Sequence, residues 1–218
     1  MELKTTSDGS HTIFDSSINE TYHSIHGAIQ EAKHIFIEAG LKHKQQLSEI
    51  NILEVGFGTG LNTILTLIEG QKAPLIYTTI EKFPLNISII KKLNYSTQLN
   101  LTATQEKLFL KLHTCTFKNI HQITPTFKFL KIDNALENYQ PATKFDIVYF
   151  DAFSPEKQPE LWQQCIFEKI YASMNRNGIL VTYCAKGIVK RALIASGFSV
   201  EKLPGPPGKR EIIRAIKK

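Results

Sequence analysis

The stretch INILEVGFGTGLN, residues 50–62, decides how the rest of the chain is read. Ile50, Ile52, Leu53 and Val55 form an apolar run of the kind shown by a strand buried on both faces. Gly56, Gly58 and Gly60 follow, and then a segment of helical character, 61–68. A strand that bends sharply into a helix needs glycines where the backbone turns and where a ligand touches it. The helix start offers free N–H groups and a positive dipole end, so a polar or anionic group sits well there. The plainer alternative is a strand–turn–helix corner with no ligand.

Spacing narrows the ligand. The dinucleotide fingerprint is G-x-G-x-x-G, and here the third glycine comes one residue early, which disfavours a nicotinamide oxidoreductase. Glu54 precedes the first glycine. E-x-G-x-G-x-G after a strand resembles the first motif of S-adenosylmethionine-dependent methyltransferases. That pattern makes Glu54, Gly56, Gly58, Gly60 and Asn62 candidate cofactor residues.

At 218 residues the chain makes one domain, or one domain with a short appendage, and can bury its own core. The expected division is an N-terminal helical segment, 1–45, lying over the cofactor site, and a main domain, 46–218. No apolar run is long enough to span a membrane, and the N-terminus is too polar for a signal peptide. Cys115, Cys165 and Cys184 are odd in number and widely spaced, which suggests neither disulfides nor a zinc site. A cytoplasmic setting is expected. His23 and His26 share a helical face without a third ligand nearby, so no metal is expected.

The net charge of +6 is uneven: from Lys186 onward nine Lys or Arg and two Glu give +7, leaving −1 for the rest. A basic end on a neutral body points to a polyanionic partner, RNA first, or to a merely solvated surface.

Strand and helix patterns alternate along the chain. Strands are expected over 75–80, 127–132, 145–150, 179–184, 198–203 and 211–216. Helices are expected over 19–41, 87–93, 101–112, 159–174 and 186–196. This order fits an α/β doubly wound sheet of seven strands, mostly parallel, ending in an antiparallel strand. Glu81 ends one strand 21 residues after Gly60, where an acid can hold ribose hydroxyls. Asp133 ends the next. It suits an adenine amino group, a helix N-cap, or both. Asp151 ends the strand 145–150, where the ligands of such sheets collect. Phe153 offers a ring to a cation, and Pro155 stiffens the loop.

Four segments together resemble the methyltransferase domain of the MnmC family of bacterial tRNA-modification enzymes: EVGFGTGLN (54–62), IEKFPL (80–85), FDAFSP with KQPELW (150–162) and GKREII (208–213). NETYHS near the start is similar as well, and the match runs from Asn19 onward. The resemblance implies a Rossmann-like fold. It also implies methyl transfer from S-adenosylmethionine to the amine of 5-aminomethyl-(2-thio)uridine at the tRNA wobble position, in the anticodon loop. Many relatives carry a fused flavin-dependent oxidoreductase, and none is expected in this sequence. Under this reading Asp151 and Phe153 are catalytic, and Glu81, Asp133 and Tyr22 join the glycine motif around the cofactor. Pro155, Lys186, Lys209 and Arg210 meet the substrate. Tyr22 closes over the cofactor or target base, or is an ordinary buried tyrosine. The competing readings are an aminopropyltransferase-like enzyme acting on a small amine, and a non-catalytic RNA-binding domain.

Overall fold

The computed structural model describes residues 1–70 and 72–218. Its centre is an eight-stranded sheet in the order β10-β11-β9-β8-β4-β5-β7-β6. The strands are β4 (Ile50–Val55), β5 (Leu75–Ile80), β6 (Ile120–Thr124), β7 (Phe127–Ile132), β8 (Phe145–Phe150), β9 (Met174–Thr182), β10 (Ser199–Pro204) and β11 (Glu211–Ile216). The run β9-β8-β4-β5-β7 is parallel, β11 enters antiparallel between β9 and β10, and β6 pairs antiparallel with β7. The mostly parallel α/β sheet is as expected, with one more strand than the seven read from the sequence. β6 was missed because it is an edge strand, partly exposed and bulged, whose residues carry little apolar alternation.

Burial explains why the parallel strands were legible. β4, β5 and β8 read INILEV, LIYTTI and FDIVYF, and the last four residues of each are buried. Helices cover both faces, as parallel sheets require. On one face lie α2 (Leu61–Glu69) and α5 (Ala103–Thr114), the latter started by a Thr102–Gln105 capping box. On the other lie α6 (Gln164–Ser173) and α7 (Gly187–Ala195). The expected helix 159–174 is two pieces, a 3-10 turn at Pro159–Trp162 and then α6, because Gln163 is extended.

The N-terminal segment departs from expectation. Residues 1–45 are not simply helical: β1 (Glu2–Thr5), β2 (His11–Asp15) and β3 (Glu20–Thr21) form a small antiparallel sheet. Asp8 makes the first hairpin, accepting from the Thr6 and Ser10 hydroxyls and the Ser10 N–H, and Gly9 sits at φ +81°. Gly27 at φ +143° stops any helix before Ala28. Helix α1 (Ala28–Ala32) therefore starts there and continues as a π-helical stretch, Lys33–Glu38. Two short helices, α3 (Ile87–Ile90) and α4 (Tyr95–Gln98), lie between β5 and α5.

The register positions the site. Val55 of β4 pairs with Ile80 of β5 on one side and with Phe150 of β8 on the other. The next residues are Gly56, Glu81 and Asp151, so three separated motifs end side by side. The chain runs from β4 to β5 and β7, then crosses to β8 on the far side of β4. Ligands of open α/β sheets bind where the strand order reverses in this way.

Candidate active site

A cavity of about 780 Å³ opens at these strand ends. Its floor is the glycine turn. Gly56 has φ +91°, and a Cβ there would lie 2.7 Å from the Asp151 carbonyl oxygen. Gly58 has φ +48°, and its Cβ would sit 3.0 Å from the Tyr22 ring. Both glycines are therefore needed for backbone shape and for close approach. The Gly58 N–H donates to Glu81 Oε2 at 3.0 Å, and the Phe83 N–H donates to Glu81 Oε1 at 2.7 Å. Glu81 thus holds the turn and faces the cavity at once.

The N-terminal segment forms the roof. His23 Nε2 lies 2.6 Å from the Thr59 hydroxyl, which also accepts from the Tyr95 hydroxyl at 3.2 Å. Burial is the main reason that His23 titrates at only about 4, with Lys209 adding to the effect, so it is neutral at pH 7. Tyr22 packs edge-on against Phe153, ring centroids 5.0 Å apart. The Ser154 hydroxyl donates to Glu20 at 2.9 Å, and the Trp162 indole N–H donates to the Phe153 carbonyl at 2.7 Å. The segment is therefore fastened to both the glycine turn and the loop after β8.

Asp151 lies between them. The Asn62 amide donates to its Oδ2 at 2.8 Å. Burial pushes the Asp151 carboxyl up to about 7. The Asn62 hydrogen bond opposes that, Glu31 reinforces it, and Lys209 opposes it. A carboxyl poised near neutrality can take a proton and give it back. Asn62 Oδ1 is buried without a hydrogen-bond partner among the described residues, an acceptor left over beside the cavity.

The structure brings Gly56, Gly58, Asn62, Glu81, Asp151, Phe153, Tyr22 and Lys209 to this cavity. It does not bring the rest. Glu54 is fully buried beneath the turn, where it accepts from the Thr63 hydroxyl at 3.0 Å, and burial raises it to about 8. Gly60 faces away: a Cβ there would meet His113 Nε2 at 2.7 Å, so it serves helix packing. Asp133 turns outward to Lys118, at 3.1 Å, and the N-cap of the following 3-10 turn is Ala135. Asn134 and Ala135 line the cavity in its place. Pro155 and Arg210 are outside the lining, and Lys186 pairs with Glu156. Sequence reading missed Glu20, His23, Glu31 and Tyr183 as lining residues. Glu20 and His23 flank Tyr22 in NETYHS, so that segment was the signal available; Glu31 belongs to no motif of the sequence.

The family model described as S-adenosyl-L-methionine-dependent methyltransferase matches residues 93–218. The chain belongs to this methyltransferase family. Its cofactor is S-adenosylmethionine, and the cavity suits it: a glycine turn that tolerates no Cβ, a strand-end carboxylate at Glu81, and an unpaired buried acceptor on Asn62. Among similar proteins are the tRNA 5-methylaminomethyl-2-thiouridine biosynthesis bifunctional proteins MnmC of Burkholderia multivorans and Leptospira interrogans. They are 29% and 30% identical over 219 and 223 residues, each match covering 93% of this chain. The chain spans about a third of the length of these relatives, 33% in both cases. The crystal structure of MNMC2 from Aquifex aeolicus superposes with a TM-score of 0.80 at 26% identity, covering 100% of this methyltransferase and 70% of that chain. Spermidine synthase from Thermotoga maritima shares the fold, with a TM-score of 0.59 at 12% identity over 100% of this chain and 72% of its own. No helix among the described residues is long and apolar enough to cross a membrane.

Proposed function

We propose that this methyltransferase acts on tRNA in the cytoplasm, methylating the aminomethyl nitrogen of 5-aminomethyl-(2-thio)uridine at the wobble position of the anticodon loop. The observation that carries the reading is Asp151: a half-buried carboxylate, held by Asn62, at the end of β8 and beside the glycine turn. The likeness to MnmC relatives supports the same acceptor. Bound S-adenosylmethionine supplies a methyl group already activated on a sulfonium. The protein's task is alignment and proton removal. A primary ammonium has no free lone pair, so its nitrogen must lose a proton before it attacks. Asp151 binds the amine and accepts that proton. Glu81 holds the ribose, and the Phe153 ring, held edge-on by Tyr22, faces the cationic centre.

The test is methylation of tRNA carrying 5-aminomethyl-2-thiouridine, followed by nucleoside mass spectrometry. The expected product is the methylaminomethyl nucleoside. Cofactor binding without methylation of that tRNA would reject the acceptor assignment while leaving the methyltransferase fold intact.

A further inference from the structure

Three side chains from distant parts of the chain meet in one wall of the cavity. Glu31, on α1, has only 11% of its side chain exposed and pairs with Lys209, from the loop between β10 and β11. The Lys209 ammonium lies 4.8 Å from the centroid of the Tyr183 ring. The Tyr183 hydroxyl donates to the Ala152 carbonyl at 3.0 Å, one residue beyond Asp151. Desolvation offsets most of the attraction in a shielded ion pair, so its place in a cavity wall is weak evidence for a stabilising role. Both charges reach Asp151, beyond the effects of burial and Asn62: Glu31 disfavours the ionised carboxylate and Lys209 favours it.

We propose that the Glu31–Lys209 ion pair, seated on Tyr183, is a positioning element of the reaction: it sets one negative and one positive charge against Asp151 and so fixes the pH at which that carboxylate takes the acceptor's proton. The proposal rests on the amine acceptor argued above. Glu20 on β3 and Glu81 after β5 are carboxylates of the same cavity, but each is turned to donors of its own, the Ser154 hydroxyl and the Gly58 and Phe83 N–H groups. Asn62 on α2 is an amide. Glu54 on β4 is held protonated by burial, titrating at about 8. Tyr95 on α4 and Tyr183 after β9 are kept neutral by burial. Glu31 and Lys209 are the formal charges that act on Asp151. In the step they serve, the ammonium N–H bond breaks and its proton goes to Asp151. The freed nitrogen lone pair forms the N–C bond to the methyl carbon. The C–S bond breaks with its electron pair going to sulfur, leaving a neutral thioether and a methylammonium product.

The pair makes a signed prediction. Lys209→Met leaves Glu31 alone and raises the pH at which Asp151 titrates. Glu31→Gln leaves Lys209 alone and lowers it. Each shift is about one pH unit, the low end for a charge near a carboxylate, and the Glu31→Gln/Lys209→Met double variant returns close to wild type. The measurement is a ¹³C-carboxyl NMR titration of Asp151 in the full chain with cofactor bound, which needs no tRNA. The acid limb of the kcat profile on tRNA should move the same way, and Lys209→Arg should keep the wild-type profile. Single variants that leave the Asp151 titration unmoved, or move it in the same direction, overturn the proposal. Inactivity of the wild type on aminomethyl tRNA strikes the acceptor assignment instead and leaves the titration result standing.

Discussion

Asp151 and Glu54 are both acidic and both shifted upward by burial, yet they do different work. Asp151 lies at the cavity with a hydrogen-bond donor on one oxygen; Glu54 lies under the glycine turn, sealed from it. Asp151→Asn keeps the shape and loses the charge and the basicity. The variant is expected to bind S-adenosylmethionine nearly normally and to lose on the order of 10²–10⁴ in rate, the usual range for a positioned acid–base group. Higher pH should recover part of the loss, because more amine then arrives unprotonated. A wild-type rate at neutral pH in single-turnover assays would make the carboxylate structural. Glu54 shows its effect in stability. Its folded-state value of about 8 stands above the ordinary carboxylate value, so between pH 4.5 and 8 the unfolded chain holds fewer protons than the folded one. Stability contributed by the protonated form is complete at low pH and declines as pH rises through that window, by up to about 1.4 kcal/mol per pH unit. Glu54→Gln should flatten the decline in Tm from pH 5 to 8 and leave cofactor affinity within a few-fold. If melting curves of variant and wild type keep the same pH dependence, Glu54 is not the buried acid described.

At the scale of elements, the sheet explains what could be read from the sequence. INILEV, LIYTTI and FDIVYF matched their observed strands because a doubly buried strand is nearly all apolar, and FKFLKI matched through alternation, with only one of its faces buried. The residue after three of these strands, Gly56, Glu81 and Asp151, lines the cavity. Asp133 also follows a strand but is outside the lining: Lys118 offers its carboxylate a partner on the outside, a contact invisible in linear order. The N-terminal sheet failed because its strands are short and polar, with β1 fully exposed, and Gly27 interrupts a pattern that otherwise suits a helix. Glu31 and Lys209 failed as a pair because 178 positions separate them. Glu81 is the strand-end residue with the sharpest consequence. It accepts two backbone N–H groups and so fixes the turn. Glu81→Ala should weaken cofactor binding by roughly 1–3 kcal/mol, the range for hydrogen bonds to a charged group. Calorimetry on the folded variant checks this, and unchanged affinity would remove Glu81 from the cofactor site.

Over the whole molecule, charge is sorted between inside and outside. The cavity wall carries Glu20, Glu31, Glu81 and Asp151, suited to a sulfonium and an amine. The C-terminal basic run serves several purposes. Lys186 pairs with Glu156, Lys202 with Glu211, Lys209 with Glu31 and Arg214 with Glu201. Among the described residues, Lys190, Arg191 and Arg210 have no such ion pair, and both arginines are exposed. These three are the residues expected to meet phosphates, whereas Lys209 is placed inside and paired with Glu31. Phosphate contacts release counterions, so each one lost should flatten the log–log salt dependence of tRNA binding by about one unit. Reversing charge at Lys190, Arg191 and Arg210 together should therefore weaken tRNA binding strongly at low salt and reduce the slope by up to about three units. Cofactor affinity and single-turnover rate at saturating tRNA should stay near wild type, because none of the three lines the cavity. Filter binding across a salt series separates the possibilities. A triple variant with unchanged affinity and slope would mean that the tRNA lies on another face, and the basic end would then be a solvated surface.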